Sequence, residues 1–428
     1  MDLKGKGRLI TNFIKIYALK YRVLLVIFTV ALLLFLILGA ISDYLASKPT
    51  DQHTAERWEN DNKMAQVSIF VSEDQMVGLN DIKRFGYQLK MKLIDAGVTG
   101  LDDEEDESEP EIIDTIGIED MNSAEGDKDE PKEDALDKLI GVSYCAQGFV
   151  SMIFDNRSMK NVNAIGVGGD FFIFHPLMLT DGTYFGEDDL MKDRIVIDES
   201  TAWQLFGSTD IIGQAVLIGD VPHYIAGVAS KKIGRFEGAS GFSNNIVYMS
   251  YDSLSKYGTI ISGLTKEGEQ AEDGTTQAVG GIGCIEVVAP NPVEGLLARI
   301  SRESIGFEDT SIEVVDNTDR FSFISLIRVL KNFGLRSMQS RAICYPYWEN
   351  EARGYEDVLS MILLFRLIAL VILVFIFVYL VIDLYRNKKW TVRGITSYLA
   401  EKKYDFEVRQ HIKKGLKRGG AAAGEETL

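Results

Sequence analysis

The sequence predicts a membrane protein with two transmembrane α-helices and a large α+β extracytoplasmic domain made of two β-rich lobes. Three observations support this prediction. The 428-residue chain contains two long apolar runs, Val23–Ser42 and Leu359–Ile382. Its charge is segregated, because residues 43–358 carry a net charge of −29 while the whole chain carries −18. Between the runs, short β-rich segments are interspersed with turns and short helical patterns, which is typical of α+β domains.

Both apolar runs are long enough to cross a bilayer. The first has 20 uncharged residues, and the second contains one charge, Arg366. A helix needs about 20 residues to span a hydrocarbon core of about 30 Å. A buried core helix is disfavoured because uncharged runs of this length are rare inside soluble domains. A cleaved signal peptide is also disfavoured, since its apolar region usually has only about 7–15 residues and a small-residue cleavage site should follow.

The distribution of basic residues predicts the orientation. Residues 1–22 contain six Lys/Arg and one acid, and residues 385–428 contain eleven Lys/Arg and five acids. Basic segments flanking membrane helices remain on the cytoplasmic side. We therefore expect a plasma or inner membrane protein with both termini in the cytoplasm and residues 43–358 in the extracellular or periplasmic space.

Two features near the predicted membrane segments have alternative interpretations. Arg366 lies eight positions into the second run. Its guanidinium either snorkels to the outer interface or pairs with an acid on a helix of a partner subunit. Residues 1–22 are predicted to form a cytoplasmic amphipathic segment, with apolar side chains at helical spacing from Leu9 to Tyr21. This segment either lies on the inner membrane surface or is the start of a long transmembrane helix.

The sequence pattern between the two apolar runs predicts a β-sheet with short helices. Hydrophobic and β-branched segments predict strands at Gln66–Val71, Leu139–Ile153, Val162–Val167, Asp193–Ile197, Ile246–Met249, Cys284–Val288 and Ser311–Val315. Helical spacing predicts helices at Leu79–Ala96, Glu199–Leu205 and Pro292–Ser301. Ala215–Ile218 and Tyr224–Val228 flank Gly219-Asp220 and predict a hairpin. Residues 267–283 are rich in Gly, Gln, Thr and acids and are expected to form a loop.

An acidic block interrupts this domain. Residues 102–137 contain 18 Asp/Glu, two Lys and no aromatic residue. Such a segment buries too little apolar area to offset the entropy cost of ordering, so we expect a disordered insertion. A calcium site is the alternative, but the D-x-D-x-D-G spacing of a calcium loop is absent.

The sequence offers little support for an enzyme. It contains neither a G-x-x-x-x-G-K-[ST] motif for ATP nor a G-x-S-x-G motif for a nucleophilic serine. No catalytic, cofactor or metal residue is assigned, and His175 and His223, next to prolines, are expected in loops. The acidic balance disfavours nucleic acid as a partner. Cys145, Cys284 and Cys344 allow three pairings of one disulfide, and none is preferred.

Residues 169–228 contain an ordered series of short motifs. They are Gly169-Asp170-Phe171-Phe172, Leu179-x-x-Gly182-x-x-Phe185, Asp193–Ile197, Ala202-x-x-Leu205-Phe206-Gly207, Asp210-Ile211-Ile212-Gly213-Gln214 and Tyr224-Ile225-Ala226-Gly227-Val228. The series resembles the extracytoplasmic core domain of MacB-type ABC exporter permeases, in the FtsX-like permease superfamily. The arrangement of one apolar membrane segment, a large domain and a second apolar membrane segment is also similar to that of these permeases. The resemblance covers about residues 43–382, in which the insertion at 102–137 is atypical.

The resemblance implies a permease-type subunit that is moved by a separate cytoplasmic ABC ATPase. Such permeases continue with two further membrane helices, whereas no apolar run of that length follows Ile382 here. A split or shortened permease and a derived accessory subunit both remain open, and a second permease subunit would supply further helices.

Residues 383–428 are predicted to form a basic cytoplasmic coupling segment and tail. Within it, residues 386–412 resemble the coupling segment of these permeases, which makes Trp390, Arg393, Tyr398 and Tyr404 candidates for contacting the ATPase. The alternative is a basic tail that binds the anionic lipid of the bilayer without a transducing role. The corresponding alternative for the whole protein is a membrane-anchored binding, sensor or accessory module without transport coupling.

Overall fold

A computed structural model describes residues 19–59, 63–98, 136–230, 236, 240, 245–270, 276–336, 342–386, 403–404 and 408. The chain divides into two compact units. The large unit comprises Ala40–Leu364, and the small unit comprises Met1–Gly39 together with Phe365–Leu428. The expected insertion at 102–137 lies outside the described residues except for its last two positions, where Leu136 is buried in the main core.

Two of the described helices are long and apolar enough to cross a membrane. They are α1 (Arg22–Ala46) and α10 (Tyr347–Arg386), which contain the two apolar runs. Large apolar side chains are exposed along both, such as Leu36 and Phe375. A core helix of a soluble protein would bury these side chains, so their exposure supports the transmembrane prediction.

The strands of the large unit form one extended sheet and one separate hairpin. Their bounds are β1 Met64–Val71, β2 Gly141–Phe154, β3 Arg157–Gly169, β4 Leu179–Gly182, β5 Arg194–Asp198, β6 Ala215–Ile218, β7 Val221–Ala229, β8 Ile246–Ser250, β9 Thr259–Ile260, β10 Thr265–Gln270, β11 Thr276–Gly280, β12 Cys284–Pro290 and β13 Ile312–Asp316. The order in the sheet is β13-β1-β12-β2-β3-β8-β5-β7-β4, with β6 against β2 and β7, and β9 against β2. Strands β10 and β11 pair with each other, so a hairpin occupies much of the stretch expected to be a loop, and that prediction was wrong.

Short helices connect and cover these strands. They are α2 Thr54–Trp58, α3 Leu79–Asp95, α4 Phe171–Phe174, α5 Glu199–Leu205, α6 Tyr251–Tyr257, α7 Leu296–Ile305, α8 Phe323–Lys331 and α9 Phe333–Arg336. Helix α5 begins at its cap Asp198, whose side chain accepts a hydrogen bond from the Thr201 backbone N–H. The helix that was predicted from Pro292 begins only at Leu296, after Gly295 in the left-handed conformation (φ 76°).

The two expected lobes are the two halves of this sheet. The first lobe contains β13-β1-β12-β2 with α3 and α7, which is a split β-α-β arrangement. The second lobe contains β3-β8-β5-β7-β4 with α5 and α6, and it is inserted in the sequence between β2 and β12. The long antiparallel β2–β3 hairpin joins the lobes into one sheet.

The first lobe is buried on both faces of its sheet. Because side chains alternate along a strand, Val67 and Ile69 of β1 face the main core with α3 and α7, whereas Phe70 faces the other side. On that other side Phe70 joins a second apolar cluster with Tyr347 and Trp348, the first residues of α10. The N-terminal end of α10 is therefore part of the packed core of the large unit.

Candidate functional site: a buried polar network in the large unit

Polar side chains also lie on the α10 face of the first lobe. Ser68 of β1 and Glu286 of β12 are direct partners in the antiparallel ladder, and both are 1% exposed. The Ser68 hydroxyl donates to Glu286 Oε1 at 2.7 Å and accepts from Asn317 Nδ2 at 2.7 Å. The buried side chains of Ser68, Glu286 and Asn317 thus have hydrogen-bond partners, as a folded interior requires.

Arg320 is the centre of the network. Its guanidinium is 4% exposed and binds Glu349 of α10 with two hydrogen bonds, of 2.6 and 2.8 Å. Its Nε donates to Glu356, about two helical turns further along α10, at 2.5 Å. The same guanidinium donates to the side-chain oxygens of Asn317 and Gln52, each at 3.2 Å. Arg320 therefore joins the N-terminal end of α10 to the chain that follows α1 and to the loop after β13.

The neighbouring guanidiniums favour the charged form of the buried Glu349 carboxylate. Burial by itself would raise the pKa of Glu349, but the guanidiniums of Arg320 and Arg353 lower it below its usual value. Arg353 Nε lies 2.7 Å from Glu349, and its Nη2 lies 2.7 Å from Glu313 on β13. Arg353 also lies over the ring of Tyr345, 3.9 Å from its centroid.

A buried histidine joins the second lobe to the same network. His175, at the end of α4, is 1% exposed, and its Nε2 forms a hydrogen bond with Glu286 Oε2. Its Nδ1 lies 3.4 Å from Oδ1 of Asp51, in the 3₁₀ turn that follows α1. Burial lowers the pKa of His175, but the two carboxylates outweigh it and raise the pKa to about 9. His175 is therefore an imidazolium at neutral pH.

The network connects four parts of the large unit: the turn after α1, the β1–β12 ladder, α4 and the N-terminal end of α10. Buried ion pairs are expensive to break singly, because the remaining charge is left unpaired in the interior. The network therefore resists separation of the N-terminal end of α10 from the sheet of the first lobe.

The site residues suggested by the sequence lie elsewhere. Trp390, Arg393 and Tyr398 are outside the described residues, and Tyr404 is described as helical and exposed. In the small unit, the Arg366 guanidinium lies over Phe35 with its Cζ 5.0 Å from the ring centroid. The guanidinium also fills the space beside Gly39. A Cβ atom added to Gly39 would lie 3.2 Å from Nη2 of Arg366. The two interpretations of Arg366 remain predictions.

The histidines and cysteines are more buried than the sequence suggested. His223 is inside strand β7, so its expected loop position was wrong, and burial lowers its pKa. All three cysteines are free thiols, although Cys145 and Cys284 are opposite each other in β2 and β12. Among the residues that the structure describes, there is no cluster of three or more His, Cys, Asp or Glu suited to a metal ion.

A cleft in the large unit is the second candidate site. It has a volume of about 430 Å³ and is lined by aromatic and acidic side chains, among them Tyr144, Phe172, Phe185, Glu187 and Tyr251. Glu187 accepts hydrogen bonds from the Tyr144 hydroxyl, at 3.2 Å, and from the Gly169 backbone. Two lysines, Lys83 and Lys192, also line the cleft, and its volume lies in the range of small-molecule sites.

The fold and this site define a membrane protein with a large mixed α/β domain. Residues 100–279 match the family model of the MacB-like periplasmic core domain. The chain is 35% identical over 82 residues to the macrolide export ATP-binding/permease protein MacB of Chromobacterium violaceum, a match that covers 19% of this chain and 13% of that protein. It is 33% identical over 127 residues to MacB 2 of Aeromonas hydrophila, covering 28% of this chain and 19% of that protein.

Among solved structures, the chain is similar to the periplasmic region of MacB from Actinobacillus actinomycetemcomitans. The identity is 15%, the match covers 64% of this chain and 95% of that chain, and the TM-score is 0.36. The matched segments make up less than a fifth of the length of the two curated relatives. With the family model and these relatives, the resemblance to MacB-type ABC transporter permeases is confirmed, and the large unit contains a MacB-like periplasmic core domain. Both curated relatives are named as macrolide export ATP-binding/permease proteins.

Proposed function

We propose that this chain is a permease-type subunit of an ABC transporter complex. In this proposal a separate cytoplasmic ABC ATPase moves the membrane helices, and the large unit receives that motion outside the cytoplasm. The observation that supports it is the buried network around Arg320, which binds the segments next to both membrane helices to the same sheet. In the same proposal, a second permease subunit supplies membrane helices beside α1 and α10, and the helices of both subunits together enclose the pathway.

The contact with the ATPase is assigned to the basic segment after α10. Trp390, Arg393, Tyr398 and Tyr404 combine positive charge with aromatic surface, which is a common composition for the centre of a protein interface. The bilayer holds the chain through α1 and α10, and both basic termini lie in the cytoplasm.

Co-purification tests the proposed coupling. The tagged full chain, solubilised in mild detergent from cells that naturally make it, is expected to retain an ATPase. The double variant Arg393→Glu with Tyr398→Ala is expected to lower the retained ATPase roughly fivefold or more, because both anchor residues are lost. Lys417→Glu, a charge change near the C-terminus, serves as the control. Retention of no ATPase by the unmodified chain, or equal retention by all three chains, contradicts the proposal.

Labelling of intact cells tests the proposed orientation. Tyr224 is 44% exposed on β7, and a Tyr224→Cys chain is expected to react with a membrane-impermeant maleimide in intact cells. A Lys417→Cys chain is expected to react only after lysis. The parent chain is the control, since its Cys145 and Cys284 are buried and Cys344 is half-buried. If Lys417→Cys but not Tyr224→Cys reacts in intact cells, the proposed orientation is wrong and the large unit lies in the cytoplasm.

The alternative is a membrane-anchored binding or sensor module without transport coupling. The aromatic and acidic cleft beside Glu187 favours this alternative, because it has the size and lining of a small-molecule site. If the co-purification experiment finds no ATPase while the large unit still binds a ligand in this cleft, this second function replaces the first.

A further inference from the structure

The helices α8 and α9 carry an unusual surface for such an acidic domain. Residues 321–348 contain Arg328, Lys331, Arg336 and Arg341 and no Asp or Glu, although residues 43–358 as a whole carry −29. Positive charge is thus concentrated in one segment of 28 residues. This segment immediately precedes α10.

The exposed side of this segment is apolar as well as basic. On α8, Leu326 and Val329 are buried against the large unit, while Phe323 and Ile324 are 55% and 69% exposed. Arg328 and Lys331 are exposed as well, and neither has an ion-pair partner among the described residues. We define the α8–α9 surface by its exposed side chains, Phe323, Ile324, Arg328, Lys331, Phe333 and Leu335. Exposed apolar side chains between Lys and Arg are typical of helices that lie in a membrane interface.

Contacts within the large unit place this surface beside the predicted membrane boundary. Arg336, the last residue of α9, forms ion pairs with Glu356 at 2.5 Å and with Asp357 at 3.0 Å. These two acids lie three and two positions before Leu359, where the second apolar run begins. The end of α9 is therefore held at the level at which α10 enters the hydrocarbon region.

We propose that the α8–α9 surface lies on the outer leaflet of the membrane and binds anionic phospholipid headgroups. Its apolar side chains enter the boundary between headgroups and acyl chains, and Arg328 and Lys331 bind the phosphates. A lipid surface fits better than an acidic protein, because the contact with α10 keeps this surface next to the bilayer. The proposal depends on the membrane spans and not on the proposed ATPase coupling.

Fluorescence of the full chain in nanodiscs tests this proposal. An environment-sensitive fluorophore is attached to Ile324→Cys in a Cys344→Ser background, and nanodiscs contain phosphatidylcholine alone or with phosphatidylglycerol. We expect a blue-shifted emission, quenching by lipids with a spin label in the upper acyl chain, and a roughly threefold decrease in quenching by the neutral quencher acrylamide when phosphatidylglycerol is present. Leu190→Cys, at a position 94% exposed in the second lobe, is the control and should remain open to acrylamide in both lipids.

Charge reversal separates lipid binding from other causes of protection. Arg328→Glu with Lys331→Glu is expected to return acrylamide quenching at position 324 to the value in phosphatidylcholine alone, with an unchanged circular dichroism spectrum. Acrylamide quenching equal to that of the Leu190→Cys control in both lipids overturns the proposal. Two further results would overturn the proposal in favour of contact with a second copy or another protein. One is protection of the fluorophore at position 324 from the aqueous quencher that increases with protein concentration. The other is such protection without quenching by spin-labelled lipid.

Discussion

Replacement of Arg320 by Met is expected to lower the free energy of unfolding of the large unit by about 3–5 kcal/mol, the usual cost of removing one partner from a buried ion pair. Met has a similar length and keeps most of the packing, but Glu349 and Glu356 lose their shared guanidinium. Glu349 is 1% exposed and cannot regain hydration, although Arg353 still contacts it. Urea denaturation of the detergent-solubilised full chain, followed by fluorescence of the buried Trp348, measures the effect.

Two further variants show whether charge is the cause. Arg299→Met removes an exposed arginine of α7 and is expected to change stability by less than about 0.5 kcal/mol. The triple variant Arg320→Met, Glu349→Met and Glu356→Met removes the unpaired carboxylates and is expected to recover part of the loss. Equal stability of the Arg320→Met and Arg299→Met chains would show that the network does not hold α10 to the sheet.

Raising the pH is expected to destabilise the large unit through His175. Its pKa is about 9 in the folded protein and 6.5 in the unfolded chain, because Glu286 and Asp51 favour the imidazolium despite its burial. A group whose pKa is raised by folding contributes its full stabilisation below the unfolded value, and the contribution is lost as pH rises through the folded value. The free energy of unfolding is therefore expected to decrease between pH 6.5 and about 9, by an amount on the order of 3 kcal/mol.

His175→Gln is the matched variant for this measurement. Glutamine keeps a hydrogen-bond donor near Glu286 but does not titrate, so the variant should be less stable at pH 6.5 and should show a much smaller slope. Ionisation of cysteines in the unfolded chain contributes to the loss near pH 9 equally in both chains, so the difference between the two curves isolates His175. Parallel curves for the two chains would contradict the assignment of a charged His175.

Much of the secondary structure could be predicted because it follows from local patterns. The alternation over Gln66–Val71 and the helical spacing from Leu79 are local signals, and both elements formed where they were expected. The hairpin β10–β11 was missed because its Gly, Gln and acidic residues have low β-propensity. Its two strands are instead defined by pairing with each other.

The polar network could not be predicted because it joins residues that are far apart in the sequence. Arg320 contacts Gln52 and Glu349, and His175 contacts Glu286, across separations that no local pattern encodes. Two signals were nevertheless present. Glu286 interrupts an otherwise apolar strand, and Glu349, Arg353 and Glu356 share one face of a helix just before the apolar run. A charged residue in such a position needs a partner, although the sequence does not identify which one.

The insertion of the second lobe between β2 and β12 affects how the protein is made. Strand β1 pairs with β12 and β13, both more than 200 residues downstream. During synthesis, β1 therefore leaves the ribosome long before its neighbours exist, whereas the second lobe already has its own strands. We expect nascent chains that stop after Ser250, the end of β8, to hold β1 as an unpaired, aggregation-prone segment, which makes the first lobe the last part to mature.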